Sequence, residues 1–156
     1  MDSLTKLAEK NNLTIVYESR MPKGESGLIY NDKIFLKSTL TDYEKREVLA
    51  EEIGHYKTTV GNIIDQSDPR NRKQELQARD YGCKLLINLD GLIACYKSGI
   101  DTPYEVAEFF EVTEPYLWRA IDMYRRKLGI HFIYNGYDFD LSHGLNIRDK
   151  SKHWRL

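Results

Sequence analysis

The residue types with the clearest chemical potential lie in one short run of the chain, E-E-I-G-H at residues 51–55. This run differs at one position from H-E-x-x-H, in which two histidines bind zinc from one helical face and the glutamate is the general base. Glu51 takes the first ligand position, and its i, i+4 spacing from His55 still projects both side chains from one face of a helix. Glu52 keeps the position of the base. The run therefore predicts either a metallohydrolase with a carboxylate ligand or one that has lost its activity.

A third ligand is needed, because catalytic zinc is usually held by three protein side chains with water in the fourth position. Glu75 is the best candidate, since Ala78 and Gly82 lie on nearly the same stripe of a predicted helix. Two small residues beside a carboxylate let that helix approach a neighbour closely, as an interhelical metal site requires. The alternative is an ordinary surface glutamate in a charged helix, and spacing alone leaves both interpretations open.

Glu52 has a catalytic role only if a metal binds next to it. It would then accept a proton from the attacking water and pass that proton to the leaving amine. A Glu-His-Glu ligand set suits Zn²⁺, but its second carboxylate shifts the preference toward Mn²⁺ or Fe²⁺ relative to a His-His-Glu set. The other histidines, His131, His143 and His153, lie at no ligand spacing from His55 and are expected on the surface or in packing.

The elements expected before the motif are one helix and a small antiparallel sheet of about three strands. Residues 3–10 are predicted to be a helix, and residues 13–17 a strand, because the latter alternate and are rich in β-formers. Residues 27–36 form a predicted hairpin. Its turn is Asn31-Asp32, two residue types that tolerate positive φ.

The motif itself is predicted on a helix over residues 42–57. Thr41 and Glu44 have the capping-box spacing that starts such a helix. The elements expected after it are a polar loop at 61–68, helices at 69–88, 92–97, 103–110 and 114–128, and a terminal hairpin of strands 131–134 and 137–141 around Asn135-Gly136. Asp90-Gly91 is interpreted as the break between the first two of these helices.

Composition favours a cytoplasmic protein with a real core. The chain has 156 residues, of which 41% are hydrophobic, and its charged residues nearly cancel to a formal net charge of −1. Such a balance argues neither for nor against nucleic acid as a partner. The two cysteines, Cys83 and Cys95, have no CxxC spacing, which fits a reducing compartment. No run approaches the ~20 apolar residues of a membrane span, so no membrane association is expected.

The order of sequence blocks around the motif resembles the ImmA/IrrE family of metallopeptidases. A strand with I-F-L at residues 34–36 precedes the helix with L-A-E-E-I-G-H-Y. A third block at residues 75–85 has the pattern E-x-x-A-x-x-x-G-x-x-L, where the family typically has E-x-x-A-x-x-x-A-x-x-L. The resemblance covers roughly residues 3–128, which is most of the chain.

This resemblance implies a zinc-dependent metalloendopeptidase with Glu51 and His55 as the first two ligands, Glu75 as the third and Glu52 as the base. Family members typically have histidine where Glu51 stands. Phage and mobile-element members with an A-E-E-x-G-H form look similar, which makes Glu51 consistent with a subfamily feature. Resemblance to ImmA also implies the substrate, a phage or mobile-element transcriptional repressor that is cleaved to relieve repression.

The expected architecture is an α+β fold, because strands come first, then mostly helices, then strands. A zincin-like, metallopeptidase-like core is expected at residues 1–90, with the E-E-x-x-H helix, the third-ligand helix and the small antiparallel sheet. Residues 91–156 are expected to add the C-terminal helices and the terminal β-hairpin, packed on that core.

Two other functions stay open from the sequence. A non-catalytic protein of the same fold would hold the repressor without cutting it. Residues 101–120 also resemble a helix-turn-helix, but a DNA-reading helix exposes Arg, Lys, Asn or Gln near its N-terminus. Here that end has Glu114 and Pro115, while Arg125 lies at the far end. The pattern therefore argues against direct nucleic-acid binding and favours a structural helix pair.

Overall fold

The computed structural model describes residues 3–58 and 69–150, and the chain divides after Leu86 into two compact units. The first unit has α1 (Ser3–Lys10), β1 (Thr14–Glu18), β2 (Gly27–Tyr30), β3 (Lys33–Lys37), α2 (Asp42–Thr58) and α3 (Pro69–Leu86). The second has α4 (Leu89–Lys97), α5 (Pro103–Phe110), α6 (Glu114–Leu128), β4 (His131–Tyr134), β5 (Tyr137–Asp140) and β6 (Asn146–Asp149). These helices and two three-stranded sheets confirm the α+β class. The loop predicted at 61–68 and His153 lie outside the described residues.

The first sheet has the strand order β1-β3-β2. Strands β2 and β3 form the predicted antiparallel hairpin, and Asn31 and Asp32 at its turn have φ angles of 50° and 60°. Strand β1 differs from the prediction, because it pairs with β3 in parallel and makes the sheet mixed. Ile34 and Leu36 of β3 are fully buried, so this apolar strand takes the centre. The chain reverses between successive strands, and β1 beside β3 must therefore run parallel to it.

Helix α2 is fixed by its cap and by its buried face. The backbone N–H of Thr41 donates to Glu44 Oε1 at 2.9 Å, and that of Glu44 donates to Thr41 Oγ1 at 3.2 Å, which confirms the capping box. Leu49 and Ile53 are buried against the core. The cap sets where α2 begins and the buried face sets its rotation, so together they determine where the motif side chains point.

The start of α4 differs from the prediction. Helix α3 ends at Leu86, and Asn88 caps α4 by accepting a hydrogen bond from the N–H of Gly91 at 2.7 Å. The pair Asp90-Gly91, predicted to be a break, therefore lies in the first turn of α4. Gly91 serves packing, because a Cβ there would lie 2.5 Å from the ring of Phe110.

The second sheet follows α6 and has the order β4-β5-β6. The predicted hairpin of β4 and β5 is confirmed, with φ of 51° at Asn135 and 81° at Gly136 in its turn. Strand β6 was not predicted. Its sequence N-I-R-D has one apolar residue and gives no alternation signal, yet it pairs antiparallel with β5. None of the helices in residues 3–58 and 69–150 combines the length and apolar character that crossing a membrane requires.

Candidate metal centre

Helices α2 and α3 approach each other through glycine and alanine. A Cβ at Gly54 would lie 2.2 Å from the carbonyl oxygen of Ala78, and one at Gly82 would lie 3.0 Å from that of Ala50. Residue 54 of α2 meets residue 78 of α3, and residue 50 meets residue 82, so the two helices run antiparallel. The prediction that Ala78 and Gly82 let their helix come close to a neighbour is confirmed.

This close approach brings Glu51, His55 and Glu75 together. One ligand atom from each side chain lies within 4.8 Å of the others, and His55 Nε2 is 3.1 Å from Glu75 Oε2. The three side chains are 24–31% exposed, so an ion can reach them from solvent. The structure thus brings together the three residues that the sequence suggested as ligands.

The two carboxylates of this cluster interact directly. Burial raises the pKa of Glu51, a hydrogen bond to Glu75 raises it further, and Arg79 opposes the rise. The ligand atoms of Glu51, His55 and Glu75 lie within 4.8 Å of one another, and a divalent cation would offset the charge of two carboxylates held so close together. One imidazole with two carboxylates is a donor set of the size that catalytic zinc uses. The residues present therefore fit a metal ion.

Glu52 lies beside this cluster but is buried, with 9% exposure. A Cβ at Gly27 would lie 3.3 Å from Glu52 Oε1, so the start of β2 covers the carboxyl group. Burial raises the pKa of Glu52, and the negative charges of Glu51, Glu75 and Glu25 raise it further, to about 8 in all. A pKa near neutral pH suits a general base, and a cation held by the cluster would offset two of those charges.

Arg79 also belongs to the site and was not predicted. Its Nε lies 3.3 Å from Glu51 Oε1 and 3.8 Å from Glu75 Oε1. The sequence contained a signal for it, because Arg79 follows Glu75 by four residues and adjoins Ala78 on the face that meets α2. Gly27 and Glu25 were missed for another reason. The contact of Gly27 with Glu52 and the effect of the Glu25 charge on the pKa of Glu52 join segments distant in sequence, and nothing local indicates them.

The remaining histidines of the described residues, His131 and His143, belong to the second unit. His131 Nε2 is 3.3 Å from Asp140 Oδ1, and His143 Nδ1 is 3.3 Å from Ser142 Oγ. Both histidines are exposed, which confirms their predicted place on the surface.

A helix pair that joins a Glu/His/Glu cluster to a buried carboxylate is the arrangement of the H-E-x-x-H class of metallopeptidases, with one ligand exchanged. The sequence matches the Peptidase_M78 family, described as the IrrE N-terminal-like domain, over residues 8–117. That match spans more than half of the 156 residues, and the chain belongs to this family of metal-dependent peptidases. The resemblance to ImmA/IrrE is thereby confirmed. Comparisons with curated proteins and with solved structures gave no match.

Proposed function

We propose that the protein is a metal-dependent endopeptidase that cleaves a transcriptional repressor of a phage or mobile element. The observation that carries the peptidase chemistry is the cluster of Glu51, His55 and Glu75 within 4.8 Å, beside the buried Glu52. Membership of the M78 peptidase family supports it. The repressor as substrate is supported by the resemblance to ImmA.

Glu51, His55 and Glu75 would hold the ion, with Zn²⁺ as the leading choice and Mn²⁺ or Fe²⁺ as ions suited to two carboxylates. When bound, the ion polarises the scissile carbonyl and makes the attacking water more acidic. Glu52 accepts the proton of that water and delivers it to the leaving amine. Its burial keeps bulk water away from the carboxyl group, so the proton passes between the reacting atoms.

The first sheet offers a place for an extended substrate. Strand β2 is at the edge of its sheet and begins at Gly27, the residue that covers Glu52. An edge strand presents backbone donors and acceptors that can pair with a peptide. A peptide paired with β2 would pass close to the base, as endopeptidase chemistry requires.

Incubation of the zinc-loaded protein with the product of a repressor gene that neighbours its own, once that gene is identified, tests this function. We expect two repressor fragments by intact mass spectrometry, and their loss when a chelator removes the ion. The matched control is His131→Ala, which removes an exposed histidine of the second unit and should leave cleavage unchanged. An intact repressor after prolonged incubation with the metal-loaded protein would contradict the proposal.

A non-catalytic protein that holds the repressor is the second candidate function. Glu51 in the first ligand position, paired with Arg79 at 3.3 Å, favours it, because a carboxylate makes a bound ion less electrophilic than a histidine does. The same incubation distinguishes the two functions. A stable complex with uncut repressor supports binding alone, whereas fragments support cleavage.

The structure gives no support to DNA reading by α6. Glu114 and Pro115 are the exposed residues at its N-terminus, and Tyr116 is buried. Arg125 donates from Nε to the carbonyl oxygen of Leu141 at 2.7 Å. The exposed start of the helix therefore offers no basic or amide side chain to a base edge, and Arg125 is engaged within the second unit.

A further inference from the structure

Arg79 stands opposite Glu51 in the same way that Glu75 stands opposite His55. The two residues on α2 are four apart, and so are the two on α3. The facing pairs are joined by similar distances, 3.3 Å for Arg79 Nε to Glu51 Oε1 and 3.1 Å for His55 Nε2 to Glu75 Oε2. The site therefore consists of four residues in two facing pairs, of which three are candidate ligands and the fourth is a cation.

We propose that Arg79 is the internal counter-ion of the carboxylate at position 51, and that a metal ion must compete with it for the site. This inference rests on the proposed function, because it concerns how the same site holds its ion. Arg79 is a positioning residue in this scheme. It acts through Glu51 and Glu75 and does not touch substrate.

The charges of the site give the reason for such a residue. A neutral histidine at the first ligand position adds no charge, whereas an ionised Glu51 adds one negative charge to the site. Arg79 adds one positive charge, so the pair of Glu51 and Arg79 is neutral, as the histidine would be. The site then has the same formal charge as a His-His-Glu site with its base.

The contacts of Arg79 show which oxygens it uses. Its Nε approaches Oε1 of both Glu51 and Glu75, while Oε2 of Glu75 faces His55. The guanidinium therefore lies on one side of each carboxylate and leaves another oxygen of Glu75 with the imidazole. A metal ion on the ligand atoms and the guanidinium group of Arg79 would contact the same two carboxylates at close range. Like charges at such separations repel.

The sign of the effect separates this role from a purely structural one. If Arg79 only held the carboxylates in place, its removal would weaken metal binding. As a counter-ion it stabilises the metal-free protein more than the metal-loaded one, and its removal tightens metal binding by linkage. The Arg79 side chain is 51% exposed, so solvent screens the repulsion, and we expect Zn²⁺ to bind about three- to tenfold more tightly to Arg79→Gln.

The experiment measures the Zn²⁺ dissociation constant by competition with a chromophoric chelator, for the wild type, Arg79→Gln, Arg79→Lys and Lys84→Gln. Lys84 is an exposed residue of α3, and its substitution is the matched control for the loss of one positive charge. We expect tighter binding for Arg79→Gln alone, and near wild-type binding for Arg79→Lys because it keeps the charge. Thermal unfolding adds a second readout, in which Arg79→Gln should lose more stability without zinc than with it.

Three outcomes overturn the inference. If the wild type binds zinc and Arg79→Gln binds it equally or more weakly, Arg79 does not compete with the ion, and the proposed function still stands. An equal gain in Lys84→Gln would show a general effect of net charge. A wild type that binds no divalent ion overturns the proposed function and the inference together, and the first two outcomes are distinguishable from this one because they require a metal-binding wild type.

Discussion

Gly54 of α2 lies so close to Ala78 of α3 that a Cβ on the glycine would stand 2.2 Å from the alanine's carbonyl oxygen. Side chains cannot yield at this point, because the opposing atom belongs to the backbone. One of the two helices must move if residue 54 acquires any side chain. The distance between the helices, and with it the spacing of Glu51, His55 and Glu75, therefore depends on this glycine.

We predict that Gly54→Ala lowers the free energy of unfolding by about 1–3 kcal/mol, the usual cost of overpacking a tight core, in spite of the ~1 kcal/mol that alanine gains in helix propensity. Gly82→Ala is the matched variant. Its Cβ would lie 3.0 Å from Ala50, so the propensity gain offsets more of the cost. Urea denaturation measures both, and a larger loss in Gly82→Ala than in Gly54→Ala would contradict the packing described.

Removal of a ligand should remove the metal. We predict that wild type purified without chelator and then loaded with Zn²⁺ binds one ion, and that His55→Ala binds it at least about 100-fold more weakly, more than outer-shell substitutions usually cost. His131→Ala serves as the control. Metal analysis after gel filtration gives the stoichiometry, and a His55→Ala protein that retains its ion would remove His55 from the ligand set.

Substitution of the base should separate binding from chemistry. Glu52→Gln is nearly isosteric and cannot take a proton, so we predict cleavage about 10²–10⁴-fold slower with zinc still bound. The rate of repressor cleavage under single-turnover conditions, measured beside metal content, checks both halves. Wild-type cleavage by Glu52→Gln would rule out this residue as the base.

Restoration of the histidine motif tests whether position 51 touches the metal. Glu51→His introduces H-E-x-x-H, and we predict tighter Zn²⁺ binding because imidazole is a better zinc donor in a site that otherwise has two carboxylates. Arg79 loses one of its two carboxylate partners in this variant and keeps Glu75, so the double variant with Arg79→Gln should bind zinc more tightly still. If the double variant keeps its fold and binds Zn²⁺ more weakly than the wild type does, residue 51 is excluded as a ligand.

The capping box predicts a pH effect on stability that is independent of the metal. Hydrogen bonds from the backbone and then the side chain of Thr41 lower the pKa of Glu44 below its ordinary value of 4.5. A folded-state pKa that is lowered stabilises the fold above the ordinary pKa, and this stabilisation is lost as pH falls through the lowered value. Glu44→Gln should therefore be less stable than wild type near pH 7 and equal to it in strong acid. Glu9→Gln, an exposed carboxylate of α1, is the control in thermal melts across pH.

Local signals made the motif helix and the hairpin predictable. Thr41 and Glu44 satisfy each other's backbone N–H groups within one turn, and Asn31 and Asp32 adopt positive φ without help from distant residues. Such features need only neighbours in sequence. For the same reason the i, i+4 spacing of the motif located the α2 half of the site correctly.

Features that depend on distant packing were missed. The parallel pairing of β1 follows from the burial of β3 in the centre of the sheet, which no spacing within β1 encodes. Gly91 was interpreted as a helix break because its contact with Phe110 lies almost twenty residues away. The spacing from Glu75 indicated where Arg79 lies on α3, but its partner Glu51 depends on the register of the two helices, which the contact of Gly54 with Ala78 sets.

The register of α2 and α3 is determined by the small residues at their two points of closest approach. A slip of α3 along α2 by one helical turn, about 5.4 Å, would set Leu86 against Ala50 in one direction and Gln74 against Gly54 in the other. Neither fits where the backbones touch, so small residues meet at both points in the observed register alone. A slipped helix would also present Arg79 to the wrong partner. The glycines and alanines of the helix contact thus determine which charged side chains become neighbours. A search for metal centres of this kind in other sequences can begin from the spacing of such small residues.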